Sequence, residues 1–184
     1  YGINRIEDNI RSTGRQPESV WHIIATHCHI DHIGGLYAWK ERYGTRIIAH
    51  ELDRAGVEGE NNDLTAASMY GVDYRPVKVD VRLSGERGAV RLGDIDFHFL
   101  HTPGHTPGSI CVYIDGSQGR ILFGQDIHGP FSAAWGSDLS QWRASMQKLL
   151  ELQADVLCEG HAGVFRGEKV RRYIESYLQR YGRQ

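Results

Sequence analysis

Four potential metal ligands stand within six residues of this chain, and they begin where an apolar run stops. Val20-Trp21-His22-Ile23-Ile24-Ala25 is β-branched and mostly apolar, as a buried strand requires. Thr26-His27-Cys28-His29-Ile30-Asp31-His32 follows at once, and Gly34-Gly35 then opens a helical stretch through Trp39 to Tyr43. In an extended segment His27 and His29 share a face, so both imidazoles can reach one ion, while alternation points Cys28 away. If the chain then turns, Asp31 and His32 can serve a neighbouring ion. Imidazole nitrogen and carboxylate oxygen suit zinc, iron, manganese or cobalt. A surface loop merely rich in histidine does not account for four ligands at this density behind a buried strand.

Hydrophobic patterning gives the rest of the architecture. Ile3, Ile6 and Ile10 predict a helix over Tyr1 to Arg11. Arg46 to His50 is the next strand. Glu51 to Gly71 reads as two short helices with a polar joint at Glu58 to Asp63. Val77, Val79, Val81 and Leu83 then alternate with period two, predicting a strand over Pro76 to Leu83. Val90 to Leu92 and Ile95 to Leu100 flank the turn signal Gly93-Asp94, and Ser109 to Ile114 and Arg120 to Phe123 flank Asp115-Gly116. Leu139, Trp142, Met146, Leu149 and Leu150 predict a helix from Asp138 to Leu152, capped by Ser137 or Asp138. Asp155 to Cys158 is a short strand, and Lys169 to Tyr181 a closing helix. Mixed strands and helices without a repeat or linker predict one layered α/β domain over 1–184.

Composition narrows the function. A formal net charge of -2 gives nucleic acid no support as a partner. No apolar run approaches the roughly 20 residues that span a bilayer, so no membrane is expected as a partner. The opening residues carry no signal-peptide pattern, and three cysteines make no disulfide framework, so a reducing cytoplasm is the expected compartment. Cys111 and Cys158 sit in apolar stretches and are expected in the core. Ten histidines are present, and their placement carries the argument.

His-x-His-x-Asp-His at 27–32 resembles the signature of the metallo-β-lactamase superfamily. Later segments agree in order: His101-Thr102-Pro103-Gly104-His105-Thr106-Pro107-Gly108-Ser109, then Gly124-Gln125-Asp126, then Glu159-Gly160-His161. Glu159 stands where that family usually has proline. The resemblance, from about Val20 onward, implies a four-layer αβ/βα sandwich with the metal site at one edge. It assigns one divalent ion, zinc first with iron or manganese also suited, to His27, His29 and His105. A second ion falls to Asp31, His32 and His161, and Asp126 bridges the two. A water between such ions loses a proton near neutral pH and becomes a nucleophile. Asp31 is expected to orient it and receive a proton later, a catalytic role besides its ligand role.

His22, His50 and His98 are isolated and expected to be structural or at the surface. His101 is a candidate support for the third motif. His128, two residues after Asp126, is a candidate substrate contact or proton donor. Phe131 and Trp135, in the segment Gly129 to Gly136, either line a pocket for an apolar group or pack beneath the Asp138 helix.

The resemblance also weighs reactions. The superfamily's β-lactamases lack an aspartate at the bridging position, so Asp126 argues against antibiotic hydrolysis. His29 argues against the flavodiiron branch, which has glutamate there. Lactonases often carry tyrosine three residues after the bridging aspartate, where this chain has Gly129. Glyoxalase II-like thioesterases share all seven ligands, although their basic glutathione-binding residues are not identifiable here. The expected activity is dinuclear hydrolysis of an ester-like bond, thioester or lactone, in a small molecule. A mononuclear iron persulfide dioxygenase and a metal-binding protein without catalysis are the alternatives. Members normally have several strands before the first helix, so the chain is expected to lack part of its first sheet, with more sequence upstream in the gene.

Overall fold

A three-stranded parallel sheet organises the first half of the chain. The computed structural model describes residues 2–117 and 119–182 and divides into two compact units, Tyr1–Leu83 and Ser84–Gln184. The first unit runs α1 (Ile3–Ser12), β1 (His22–Ile24), α2 (Ile30–Ile33), α3 (Leu36–Tyr43), β2 (Arg46–His50), α4 (Arg54–Val57) and β3 (Val81–Leu83). Tyr1, where the first helix was expected to begin, lies outside the described residues. The sheet order is β1-β2-β3, with Ile23 opposite Ile47 and Ile48 opposite Val81.

β2 is central and buries Ile47, Ile48, Ala49 and His50. Among the described residues β1 pairs only with β2, and the run expected as a buried strand is shorter and half-buried, with Trp21 71% exposed. The alternation in 77–83 holds in burial, since Val77, Val79 and Leu83 are buried between exposed polar residues. Only Val81–Leu83 joins the ladder. Val79 N–H is instead taken by Glu58 Oε1 at 3.0 Å, and Val77 N–H by Val57 O at 3.2 Å. The two helices expected in 51–71 shrink to α4 and three 3₁₀ turns, because caps such as Asn61 divert the backbone before a second α-turn closes.

The second unit runs β4 (Arg87–Leu92), β5 (Ile95–His101), β6 (Ile110–Gly116), β7 (Gly119–Phe123), α5 (Leu139–Glu151), β8 (Val156–Glu159), β9 (Gly163–Arg166) and α6 (Glu168–Tyr181). Its sheet follows chain order, β4-β5-β6-β7-β8-β9. Adjacent hairpins make the first four strands antiparallel, and the crossover through α5 makes β7 and β8 parallel. Leu92 pairs with Ile95 across the Gly93-Asp94 turn, as its residues predict. The next hairpin stays paired through Gly116 and Gly119, beyond the expected turn at Asp115-Gly116. β9 was not anticipated: its side chains are mostly exposed, so it carries no apolar alternation to read.

α5 buries Trp142, Ser145, Met146 and Leu149, a stripe at helical spacing, against Val170 and Ile174 of α6. Cys111 lies in this core, whereas Cys158 is only half-buried. Asp138 caps α5, its Oδ1 accepting Ser140 N–H at 2.8 Å and Gln141 N–H at 3.0 Å. Asp138→Ala is expected to lower the thermal midpoint by about 2–4 °C, read by circular dichroism. Among the described residues, no helix is long and apolar enough to cross a membrane.

Candidate metal centre

The first unit presents its donors on the turn between β1 and α2. His29 is the extended residue that opens α2, so His32 N–H and Ile33 N–H bond to its carbonyl at 3.0 Å. Asp31 and His32 therefore lie on a helical turn, while His27 precedes it in a bend after β1 rather than in the extended chain expected. The rings of His27 and His29 stand 4.8 Å apart edge-on, and those of His27 and His32 stand 4.1 Å apart. His27 and His29 are buried. Asp31 Oδ2 lies 3.7 Å from His32 Nε2.

Cys28 holds this loop to the core of its own unit. Its N–H bonds to the buried Asp53 Oδ2 at 2.9 Å, and its thiol donates to Leu64 O at 3.3 Å. Burial, with Asp53 beside it, pushes the thiol well above its usual range. Gly56 is required beneath it, because a Cβ there would meet Cys28 Sγ at 2.9 Å. Asp53 is a residue that sequence reasoning missed. Its partner is 25 residues away, and nothing local marks it.

The second unit presents His105, Asp126 and His161 from three loops. His105 lies between β5 and β6, in a loop fixed from several sides. Thr106 N–H and Oγ1 meet Ser109 Oγ at 3.0 and 2.8 Å, Ser137 Oγ donates to His105 O at 2.7 Å, and Ser145 Oγ donates to Pro103 O at 2.7 Å. Gly104 has φ of 127°, and a Cβ there would lie 2.3 Å from Trp142 N, so only glycine lets the loop sit on the start of α5. His101 is buried, and its Nε2 bonds Pro107 O at 2.9 Å, which braces the same loop.

Asp126 follows β7. One of its oxygens, Oδ2, lies 3.5 Å from His105 Nε2 and 3.4 Å from His161 Nε2. Direct N–H···O hydrogen bonds prefer about 2.7–3.2 Å. Two donors on one tetrahedral ion at 2.0–2.2 Å lie about 3.3–3.6 Å apart, which matches both distances. His105 is fully buried and Asp126 nearly so, a costly placement unless such groups are paired or hold a metal. The donor set thus fits a divalent ion.

Glu159, at the end of β8, organises the His161 loop. Its Oε2 accepts His161 N–H at 2.8 Å and Ala162 N–H at 2.7 Å, and its Oε1 bonds His128 Nδ1 at 2.9 Å. Burial pushes the Glu159 carboxyl up, but the His128 bond and the two backbone N–H groups outweigh it and hold the group down at about 2. His128, whose ring is 5.3 Å from that of His161, is held further by Tyr181 Oη, which donates to His128 O at 3.1 Å. The one sequence signal for Glu159 was an acidic residue in the place of a proline.

The remaining candidates resolve into packing. His50 is buried and its Nδ1 accepts Leu52 N–H at 3.4 Å, and His98 stacks on Tyr113. His22 lies in the edge strand β1. Phe131 packs edge-on against Trp142 and Tyr181, and also reaches the His105 ring at 5.9 Å. Trp135 is buried.

Comparison with known proteins places this geometry. A profile described as the metallo-beta-lactamase superfamily matches residues 2–161. A protein of Aquifex aeolicus is 35% identical over 142 residues, covering 73% of this chain and 64% of that protein. The acyl-coenzyme A thioesterase MBLAC2 of Gallus gallus is 30% identical over 181 residues, covering 86% of this chain and 62% of the thioesterase. The chain thus spans less than two thirds of the length of these relatives. Among solved structures, the subclass B3 metallo-beta-lactamase BJP-1 of Bradyrhizobium japonicum superposes with a TM-score of 0.81 at 24% identity, over 100% of this chain and 79% of that one. That likeness establishes the two-sheet fold. This chain belongs to the metallo-beta-lactamase superfamily and has its fold.

Proposed function

We propose that this protein is a dinuclear metal-dependent hydrolase of small-molecule thioesters in a reducing cytoplasm. His27, His29 and His105 hold one ion, Asp31, His32 and His161 hold the other, and Asp126 bridges them. When bound, the ions supply an activated water near neutral pH. Asp31 orients that water through its carboxylate and later takes up a proton. The observation that carries the reading is the single Asp126 oxygen standing within 3.5 Å of both His105 Nε2 and His161 Nε2. The thioester class is supported by the similarity to the acyl-coenzyme A thioesterase MBLAC2.

The test is metal analysis followed by a substrate panel. Purified protein, loaded with zinc or manganese, is expected to carry roughly two ions per chain. It should release thiol from acyl-coenzyme A esters in preference to opening lactones or cleaving phosphodiesters and sulfate esters. Chelation should abolish turnover, and added metal should restore it. A single bound iron with oxygen uptake on glutathione persulfide would overturn the reading, as would a metal-loaded protein inert on every ester.

A further inference from the structure

Asp53 gives up a local bond for a distant one. It is the residue before α4, where an aspartate side chain ordinarily caps the first turn, yet it makes no such bond. Its Oδ2 instead accepts Cys28 N–H at 2.9 Å, across 25 residues. Asp53 is fully buried, a costly place for a carboxyl group that does no bonding. The bond falls between two candidate ligands. Cys28 N–H belongs to the planar peptide that joins His27 to Cys28, so holding it fixes both α-carbons. Just upstream, Ala25 N–H bonds to Ile48 O at 2.8 Å, and on the far side the Cys28 thiol reaches Leu64 O at 3.3 Å. Ile48 lies in the buried central strand β2, and a 3₁₀ turn over Glu51–Asp53 follows that strand. The loop that carries His27 and His29 is thus tied on both sides of His27 to β2 and to the turn behind it.

We propose that Asp53 is a positioning residue for the metal centre. By holding the peptide between His27 and Cys28, it sets the spacing at which the His27 and His29 rings stand, 4.8 Å apart and edge-on. Only an oxygen acceptor at the Oδ2 position is required for this. The consequence for metal affinity rests on the metal-centre reading above. The hold on the loop stands without it.

Hydrogen exchange at the Cys28 amide, followed in ¹H–¹⁵N spectra of the metal-free full chain, reads the bond directly. Zinc affinity, measured by competition with a chromophoric chelator, reads its consequence. In Asp53→Ala the Cys28 amide should exchange faster, and zinc affinity should fall about 10–100-fold, the usual cost of losing a group that orients a ligand. Asp53→Ser, whose hydroxyl is too short to take the Oδ2 position, serves where Asp53→Ala does not fold. Asp53→Asn keeps an amide oxygen of the same reach, and its zinc affinity should follow its Cys28 exchange. It should bind as the parent does where the amide stays protected, and as weakly as Asp53→Ala where it does not. Val79→Ala removes a buried side chain from the core of the same unit and is the control for general loosening. It should melt lower than the parent and bind zinc equally well. His27→Ala separates the two readings. If it binds zinc as the parent does, the metal-centre reading fails, and Cys28 exchange alone decides whether Asp53 holds the loop. An unchanged Cys28 amide in Asp53→Ala would overturn the proposal. So would parental zinc affinity in Asp53→Ala, or an equal loss in Val79→Ala, where His27→Ala loses zinc.

Discussion

Asp126→Ala is expected to lower kcat/KM for a thioester by about 10³-fold or more, with the fold intact. In the dinuclear centre proposed above, Asp126 would contribute charge to both ions, and metal-assisted activation accounts for several kcal/mol of barrier, each 1.36 kcal/mol being about tenfold in rate. The residue is nearly buried at the end of β7, and its Oδ2 serves His105 and His161 together. Its removal leaves two imidazoles facing a gap. Bound metal, read by inductively coupled plasma mass spectrometry, should fall from roughly two ions per chain to one or fewer. The far-ultraviolet circular dichroism should match the parent, because the core of this unit is built from Leu122, Trp142, Met146 and Leu157 rather than from Asp126. Near-normal turnover in this variant would reject hydrolysis at a bridged pair.

Trp142→Ala is expected to cost about 3–5 kcal/mol of stability. Trp142 is fully buried and packs against Phe131 at 5.3 Å and Tyr181 at 5.5 Å between ring centroids. Its Nε1 donates to Ile127 O at 3.2 Å, so the variant also strands a buried carbonyl. For a chain of this size the loss corresponds to a fall of about 6–20 °C in thermal midpoint, measurable by calorimetry. The damage should reach the metal donors. Ile127 follows Asp126, and Gly104, beside His105, rests on the backbone of Trp142. Metal affinity should therefore drop even where the protein remains folded. A variant that melts within 2 °C of the parent would show that the α5 stripe is not the keystone of this unit.

The elements were legible wherever one face meets solvent and the other the core. The α5 stripe from Leu139 to Leu150 and the Gly93-Asp94 hairpin could be read directly, because periodicity and turn chemistry are local. Pro76 to Leu83 shows the limit. Its alternation correctly gave the buried face, but ladder membership depends on a neighbouring strand, and Glu58 took one of its backbone donors instead. β9, exposed on most of its length, left no apolar trace. The burial of β1 also could not be read from its own residues, since an apolar run does not reveal how many strands flank it, and among the described residues β1 pairs with β2 alone.

The candidate site divides in the same way. The candidate ligands are a matter of local chemistry: His27, His29, Asp31, His32, His105, Asp126 and His161 are proposed from residue type, spacing and motif order. By itself the sequence determined an α/β chain with imidazole and carboxylate donors suited to divalent metal, carried in segments that identify its superfamily. Tertiary structure alone decided what holds those donors still. Asp53 grips the Cys28 backbone from 25 residues away, Ser137 just before α5 and Ser145 within it pin the His105 loop, and Glu159 joins His128 to the His161 loop. The physical reason is one of range. A ligand's chemistry resides in its own side chain, whereas its orientation comes from hydrogen bonds to groups that only folding brings within 3 Å.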